Sequence, residues 1–129
     1  MFVNQNHIDM KYSFESLEVW QYARELVNVI YSVTATFPSE EKYGLTSQLR
    51  RASVSVSSNM AEGSTRLSKK DKARFYEMAY GSLIEVLNQL IIAQDLKFIS
   101  ENQLVDLRSQ VERISRMLNA LYLDAINDL

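Results

Sequence analysis

The chain contains no cysteine, one histidine, one proline and three glycines among its 129 residues. Without thiols there is no disulfide framework, no thiolate nucleophile and no sulfur-rich metal site, and a reducing compartment is the default expectation. A single imidazole, His7, cannot supply the Glu-x-x-His pairs from which helical bundles build metal centres. A Ser-His-acid triad would have to borrow that same residue. The glycines stand apart at positions 44, 63 and 81, so there is no glycine-rich phosphate loop. Paired acids such as Glu40-Glu41 read as solvated loop residues. These absences predict a protein that is not an enzyme and that holds no metal or cofactor.

Composition bounds the rest. A chain of 129 residues makes one domain that buries about two-thirds of its unfolded surface. With 47% hydrophobic and 23% charged residues, disorder and collagen-like repeats are excluded. Residues 1–13 lack a basic start followed by an apolar run, so they read as a loose tail rather than a secretory signal. Residues 14–129 form the single domain. The charge-poor stretch from Met78 to Gln94 contains Glu85, Asn88 and Gln89, which leaves it short of the roughly 18 apolar residues of a membrane span. A soluble, cytoplasmic protein without membrane contact is expected.

Apolar spacing predicts four helices. Ser16 can cap the first, in which Trp20, Ala23, Val27, Ile30, Thr34 and Phe37 recur every three or four residues and so share a face. Pro38 stops it. Gly44 ends a short connection, and Leu45, Leu49, Ala52, Val56 and Met60 mark the inner face of a second helix, with Gly63 as its C-terminal stop. Within it, Ala52 to Ser57 alternates like a half-buried strand. Helix is the better reading, because no second strand exists to satisfy a lone strand's backbone. The third helix starts after Ser68, with Asp71 three residues on, and runs to about Leu96. The fourth opens on Ser100-Glu101-Asn102-Gln103, and Leu104, Leu107, Val111, Ile114, Leu118 and Leu121 form its heptad seam. Four long helices with short connections predict an all-α, up-down-up-down bundle.

The third helix is apolar on more than one face. Leu83, Leu87 and Leu90 suit the core, which leaves Tyr76, Tyr80, Ile84, Ile91 and Ile92 to be covered by another helix of the subunit or by a second copy. A patch of that size marks a protein interface. Tyr80, Ile84, Ile91 and Ile92 are the candidate oligomer contacts. Gly81 in mid-helix costs about 1 kcal/mol relative to Ala, which suggests a close helix approach. Glu85, the one charge in the stretch, would pair with Arg50 or Arg51 or else face water.

Charge is distributed unevenly. The net charge is -2, yet Arg50 to Arg74 holds seven basic residues against two acidic ones, a surplus of five that leaves -7 on the remainder. Arg50, Arg51, Arg66, Lys69, Lys70, Lys72 and Arg74 are the candidate nucleic-acid contacts. Lys69, Lys70 and Lys72 fall in the first turn of the third helix, where the macrodipole disfavours cations by about 0.3 to 1 kcal/mol each. Backbone donors and lysines at a helix N-terminus make an anion site able to follow a phosphate backbone, with Phe75 or Tyr76 as a stacking surface. The plainer alternative is a solvated basic loop that balances the acidic remainder.

Several motifs occur together and in order: Trp20, Phe37-Pro38, Tyr43 through Ala52, Asn59-Met60-Ala61-Glu62-Gly63 and Gly81-Ser82-Leu83-Ile84-Glu85. Over about Phe14 to Leu121 the chain resembles a bacterial four-helix-bundle family that includes proteins encoded in 23S ribosomal RNA intervening sequences. The resemblance implies a left-handed bundle that assembles as a homopentamer. A related member is the basic, nucleic-acid-binding accessory protein of diversity-generating retroelements, from which this chain departs in its net charge. Arg50, Arg51, Asn59, Glu62, Gly63, Gly81 and Glu85 match signature positions, and the resemblance assigns them to folding and assembly. Two functional expectations follow. One is a homo-oligomer whose repeated basic loops contact RNA or DNA without reading sequence. The other is an adaptor or scaffold that binds a protein partner. An unrecognised hydrolase ranks below both.

Overall fold

The computed structural model describes residues 12–127. A 3-10 turn, Ser13–Ser16, leads into four α-helices: α1 (Glu18–Thr34), α2 (Leu45–Ser64), α3 (Lys69–Asp95) and α4 (Glu101–Asn127). A second 3-10 turn, Ser39–Glu41, lies between α1 and α2. No strand occurs among the described residues, and the alternating Ala52–Ser57 segment is helical. Each helix packs against its chain neighbours and α1 also touches α4, whereas the diagonal pairs do not meet. The core runs down the middle of this ring. Leu26, Ile30, Leu49, Val56, Met60, Leu83, Val86, Leu90, Ile114 and Leu118 are fully buried in it.

The inner face of α1 differs from the sequence expectation. Val19, Ala23, Leu26, Ile30 and Thr34 are buried, while Trp20 and Val27 are only half-buried. Trp20 turns instead to meet Phe14 edge-on, with ring centroids 4.9 Å apart, and this contact lays the 3-10 turn along the bundle. Ser16 ends that turn and does not cap α1; the N-cap is Leu17, which makes no side-chain cap. His7 and most of the expected tail lie outside the described residues.

The predicted inner face of α2 is buried throughout, but two residues at its ends act differently. Glu41 is no free loop acid: its Oε1 accepts the Leu45 amide at 3.1 Å and caps the helix that Gly44 cannot. Gly63 is inside the helix rather than beyond it. A Cβ at this position would stand 2.9 Å from both Phe75 Cβ and Tyr76 Cε1, so Gly63 is needed where α2 and α3 converge.

Both predicted capping motifs form. Ser68 Oγ accepts the Asp71 amide at 3.1 Å. At α4, Ser100 Oγ accepts the Gln103 amide at 3.1 Å while Gln103 Oε1 accepts the Ser100 amide at 2.8 Å, a reciprocal capping box. α3 closes through Phe98 N donating to Ala93 O at 2.8 Å and Lys97 N to Gln94 O at 2.9 Å. Lys97 takes the left-handed φ of 64° that this closure usually gives to glycine.

Candidate nucleic-acid interface

The seven basic candidates do not form one site. Arg50 and Arg51 sit near the start of α2, whereas the others surround the α2–α3 turn. From Arg51 to Ser64 the helix rises about 20 Å at 1.5 Å per residue. Arg50 is also fully engaged. Its Nε donates to Thr34 Oγ1 at 2.9 Å and its Nη2 to Tyr31 O at 3.3 Å, with the guanidinium 4.5 Å from the Tyr31 ring centroid. Thr34 Oγ1 in turn donates to Ile30 O at 2.7 Å. Arg50 therefore ties α2 to the end of α1. Arg51 is exposed and lines a polar hollow with Tyr43, Ser47, Gln48, Ser55 and Glu85.

At the turn, Lys72 is a structural strap: its Nζ donates to Ser64 O at 2.8 Å, satisfying a carbonyl at the end of α2. Arg66 and Arg74 share one ring, with guanidinium carbons 4.4 Å and 5.0 Å from the Phe75 centroid. Arg74 also meets Asp71 at 3.9 Å. Lys69 and Lys70 are exposed. Lys70 and Arg74 overlook a shallow cleft between the start of α3 and the end of α4, completed by Glu77, Tyr122 and Ile126. The remaining rim is thus Arg66, Lys69, Lys70 and Arg74 around the capped start of α3.

The expected stacking surface is not available. Phe75 and Tyr76 are 8% and 5% exposed, facing α2 across Gly63, so neither ring can receive a base. Burial, together with the Asp124 carboxylate, pushes the Tyr76 hydroxyl above its ordinary value. Tyr76 accordingly drops out of the surface patch.

Of the interface candidates, Tyr80, Ile84 and Ile92 are exposed and Ile91 is half-buried. Tyr80 leans into an apolar cleft of about 130 Å³ between α3 and α4, lined also by Leu118 and Tyr122. Glu85 is exposed, and its Oε1 accepts from Gln89 Nε2 at 3.3 Å rather than from Arg50 or Arg51. Gly81 makes no close approach within the subunit: a Cβ there would meet nothing within 4 Å. No group of acidic or histidine residues able to hold a metal ion occurs among the described residues. No described helix is long and apolar enough to cross a membrane.

The fold defines a four-helix, all-α protein. The chain belongs to the 23S rRNA-intervening sequence protein family, whose profile matches residues 15–120. Among solved structures it is similar to a protein of unknown function from the S23 ribosomal protein family of Bacteroides thetaiotaomicron. The TM-score is 0.75 at 16% identity, over 81% of this chain and 97% of that one. At that identity the comparison speaks for the fold alone. Comparison with curated proteins finds no match.

Proposed function

We propose that the protein is a non-enzymatic, cytoplasmic homo-oligomer that binds nucleic-acid backbones without reading their sequence. Its subunit is a left-handed, up-down-up-down bundle; short connections and the closed ring of helix neighbours support that topology. The pentameric assembly is what the family resemblance implies, and the exposed isoleucines of α3 supply an apolar surface for it.

The observation that carries the binding reading is the ring of cations held at the start of α3. Arg66 and Arg74 are fixed on Phe75, which lowers the entropy lost when each meets a phosphate. Lys69 and Lys70 are exposed in the first turn of the same helix. Each cluster is weak alone, and repetition around an oligomer multiplies it. Phe75, the ring beneath the two arginines, is buried and offers no face to a base, which suits backbone contact rather than base stacking.

The test is binding of labelled single-stranded and duplex RNA and DNA at two salt concentrations, comparing wild type with Lys69→Glu/Lys70→Glu. Affinity that falls with salt and falls further in the variant is expected. Absence of binding at low salt overturns the nucleic-acid reading and leaves the scaffold alternative, in which the α3 surface engages another polypeptide.

A further inference from the structure

The α2–α3 interface contains a buried amide that folding does not need. Gln89 is 4% exposed, and its Nε2 donates to Glu85 Oε1 at 3.3 Å and to Gln48 Oε1 at 3.4 Å. Its own Oε1 is buried without a hydrogen-bond partner. An orphaned buried acceptor is unfavourable, and a leucine at this position would bury no polar group at all. What the amide achieves is to hold Gln48 of α2 and Glu85 of α3 through one donor group.

Both of those residues line the polar hollow of about 510 Å³ between α2 and α3, which is within the size range of small-molecule sites. Ser55 and Ser82 share a hydrogen bond of 2.9 Å that ties the two helices together beside it. Arg51 and Glu85 line the hollow as exposed residues of opposite charge, and among the described residues no ion pair joins them. Tyr43 lines it too and is 88% exposed, with Lys42 Nζ 5.4 Å from its ring centroid.

The hollow thus combines a guanidinium for an oxyanion, a carboxylate and a carboxamide for hydrogen-bond donors, and an aromatic ring for a planar partner. A nucleotide presents all three counterparts. Among the bases, guanine offers two adjacent N–H donors on its Watson–Crick edge, which one carboxylate accepts as a pair. Adenine, cytosine and uracil each set a donor beside an acceptor there, and a carboxylate has no proton to give that acceptor.

We propose that this hollow binds a guanine nucleotide, with Glu85 accepting from the base edge, Arg51 meeting the phosphate and Tyr43 stacking on the base. Gln89 is a positioning residue that acts through Glu85 and Gln48. The base belongs either to a free nucleotide or to an unpaired position of an RNA strand, which present the same chemistry. The α2 helix rises about 20 Å between Arg51 and Ser64, so the hollow is separate from the cation cluster at the start of α3 and the inference does not rest on that cluster.

The experiment is calorimetry on the full chain with GMP, AMP, CMP and UMP, and with two single-stranded RNA hexamers that differ by one guanine against one adenine. GMP should bind about tenfold tighter than the other three; where RNA supplies the base, the same preference should separate the hexamers instead. Glu85→Gln should abolish the preference, and Arg51→Ala should weaken GMP or the guanine hexamer by about tenfold. Gln89→Leu should lower guanine affinity several-fold with an unchanged or higher urea midpoint, whereas a purely structural Gln89 would lower the midpoint and leave the affinity alone. Equal affinity across the bases in both sets, no binding in either, or a preference that survives Glu85→Gln would overturn the site. Equal, salt-sensitive binding of both hexamers would do so while leaving the cation-cluster reading intact, because the two strands carry the same charge.

Discussion

Gly63 of α2 lies against the ring of Tyr76 in α3 so closely that a Cβ at position 63 would stand 2.9 Å from Tyr76 Cε1. The same Cβ would meet Phe75 Cβ at 2.9 Å, close to the backbone, where little can yield. Gly63→Ala should therefore destabilise the protein by about 1 to 3 kcal/mol in urea titration, despite the better helix propensity of alanine. An equal or higher unfolding midpoint would show that the two helices separate without cost.

Arg50 was a nucleic-acid candidate on charge alone, and its hydrogen bonds to Thr34 and Tyr31 give it a structural role. Arg50→Ala should lower stability by about 1 to 3 kcal/mol and leave RNA affinity per folded molecule unchanged. Arg50→Lys should recover only part of the loss, since an ammonium cannot bond both partners and stack on Tyr31 as the planar fork does. Weakened RNA binding with unaltered stability would return Arg50 to the interface.

Lys97 holds a φ of 64° where its side chain makes the left-handed conformation unfavourable by about 1 kcal/mol. Lys97→Gly should raise the melting temperature by a few degrees by relieving that strain at the end of α3. A lower melting temperature would mean that glycine's extra freedom in the unfolded chain outweighs the relief.

The raised pKa of Tyr76, caused first by burial and then by the Asp124 carboxylate, links stability to alkaline pH. The folded state holds this proton more tightly than the unfolded state, so the contribution is full below the unfolded value near 10.0. It is lost as pH rises through the higher folded value. Tyr76→Phe should leave stability at pH 7 within about 1 kcal/mol and make the decline above pH 10 shallower. An unchanged alkaline decline, measured by denaturant midpoint against pH, would detach Tyr76 from it.

Much of the fold was legible in local sequence. Ser68 and Ser100 mark helix starts because capping satisfies backbone donors within three residues, and both caps form as the spacing predicts. The seam of α4 and the inner face of α2 follow from apolar periodicity. The face of α1 was less legible. Trp20 and Val27 compete with Val19 and Leu26 for the interior, and the neighbouring Phe14 ring drew Trp20 aside, a contact that periodicity does not record.

The candidate site was legible only as composition. Sequence by itself determined that the chain is all-helical, where α2, α3 and α4 begin, and that basic residues gather between Arg50 and Arg74, because these depend on nearest neighbours and on counting. Only the tertiary structure decided which contacts these cations make inside the subunit. Arg50 is bound to α1, Lys72 to the end of α2, and Arg66 and Arg74 to one ring. It also separated two glycines that look alike in the sequence. Gly63 is enclosed by α3 and Gly81 opens outward, since the space beside a residue is set by what the rest of the chain brings there.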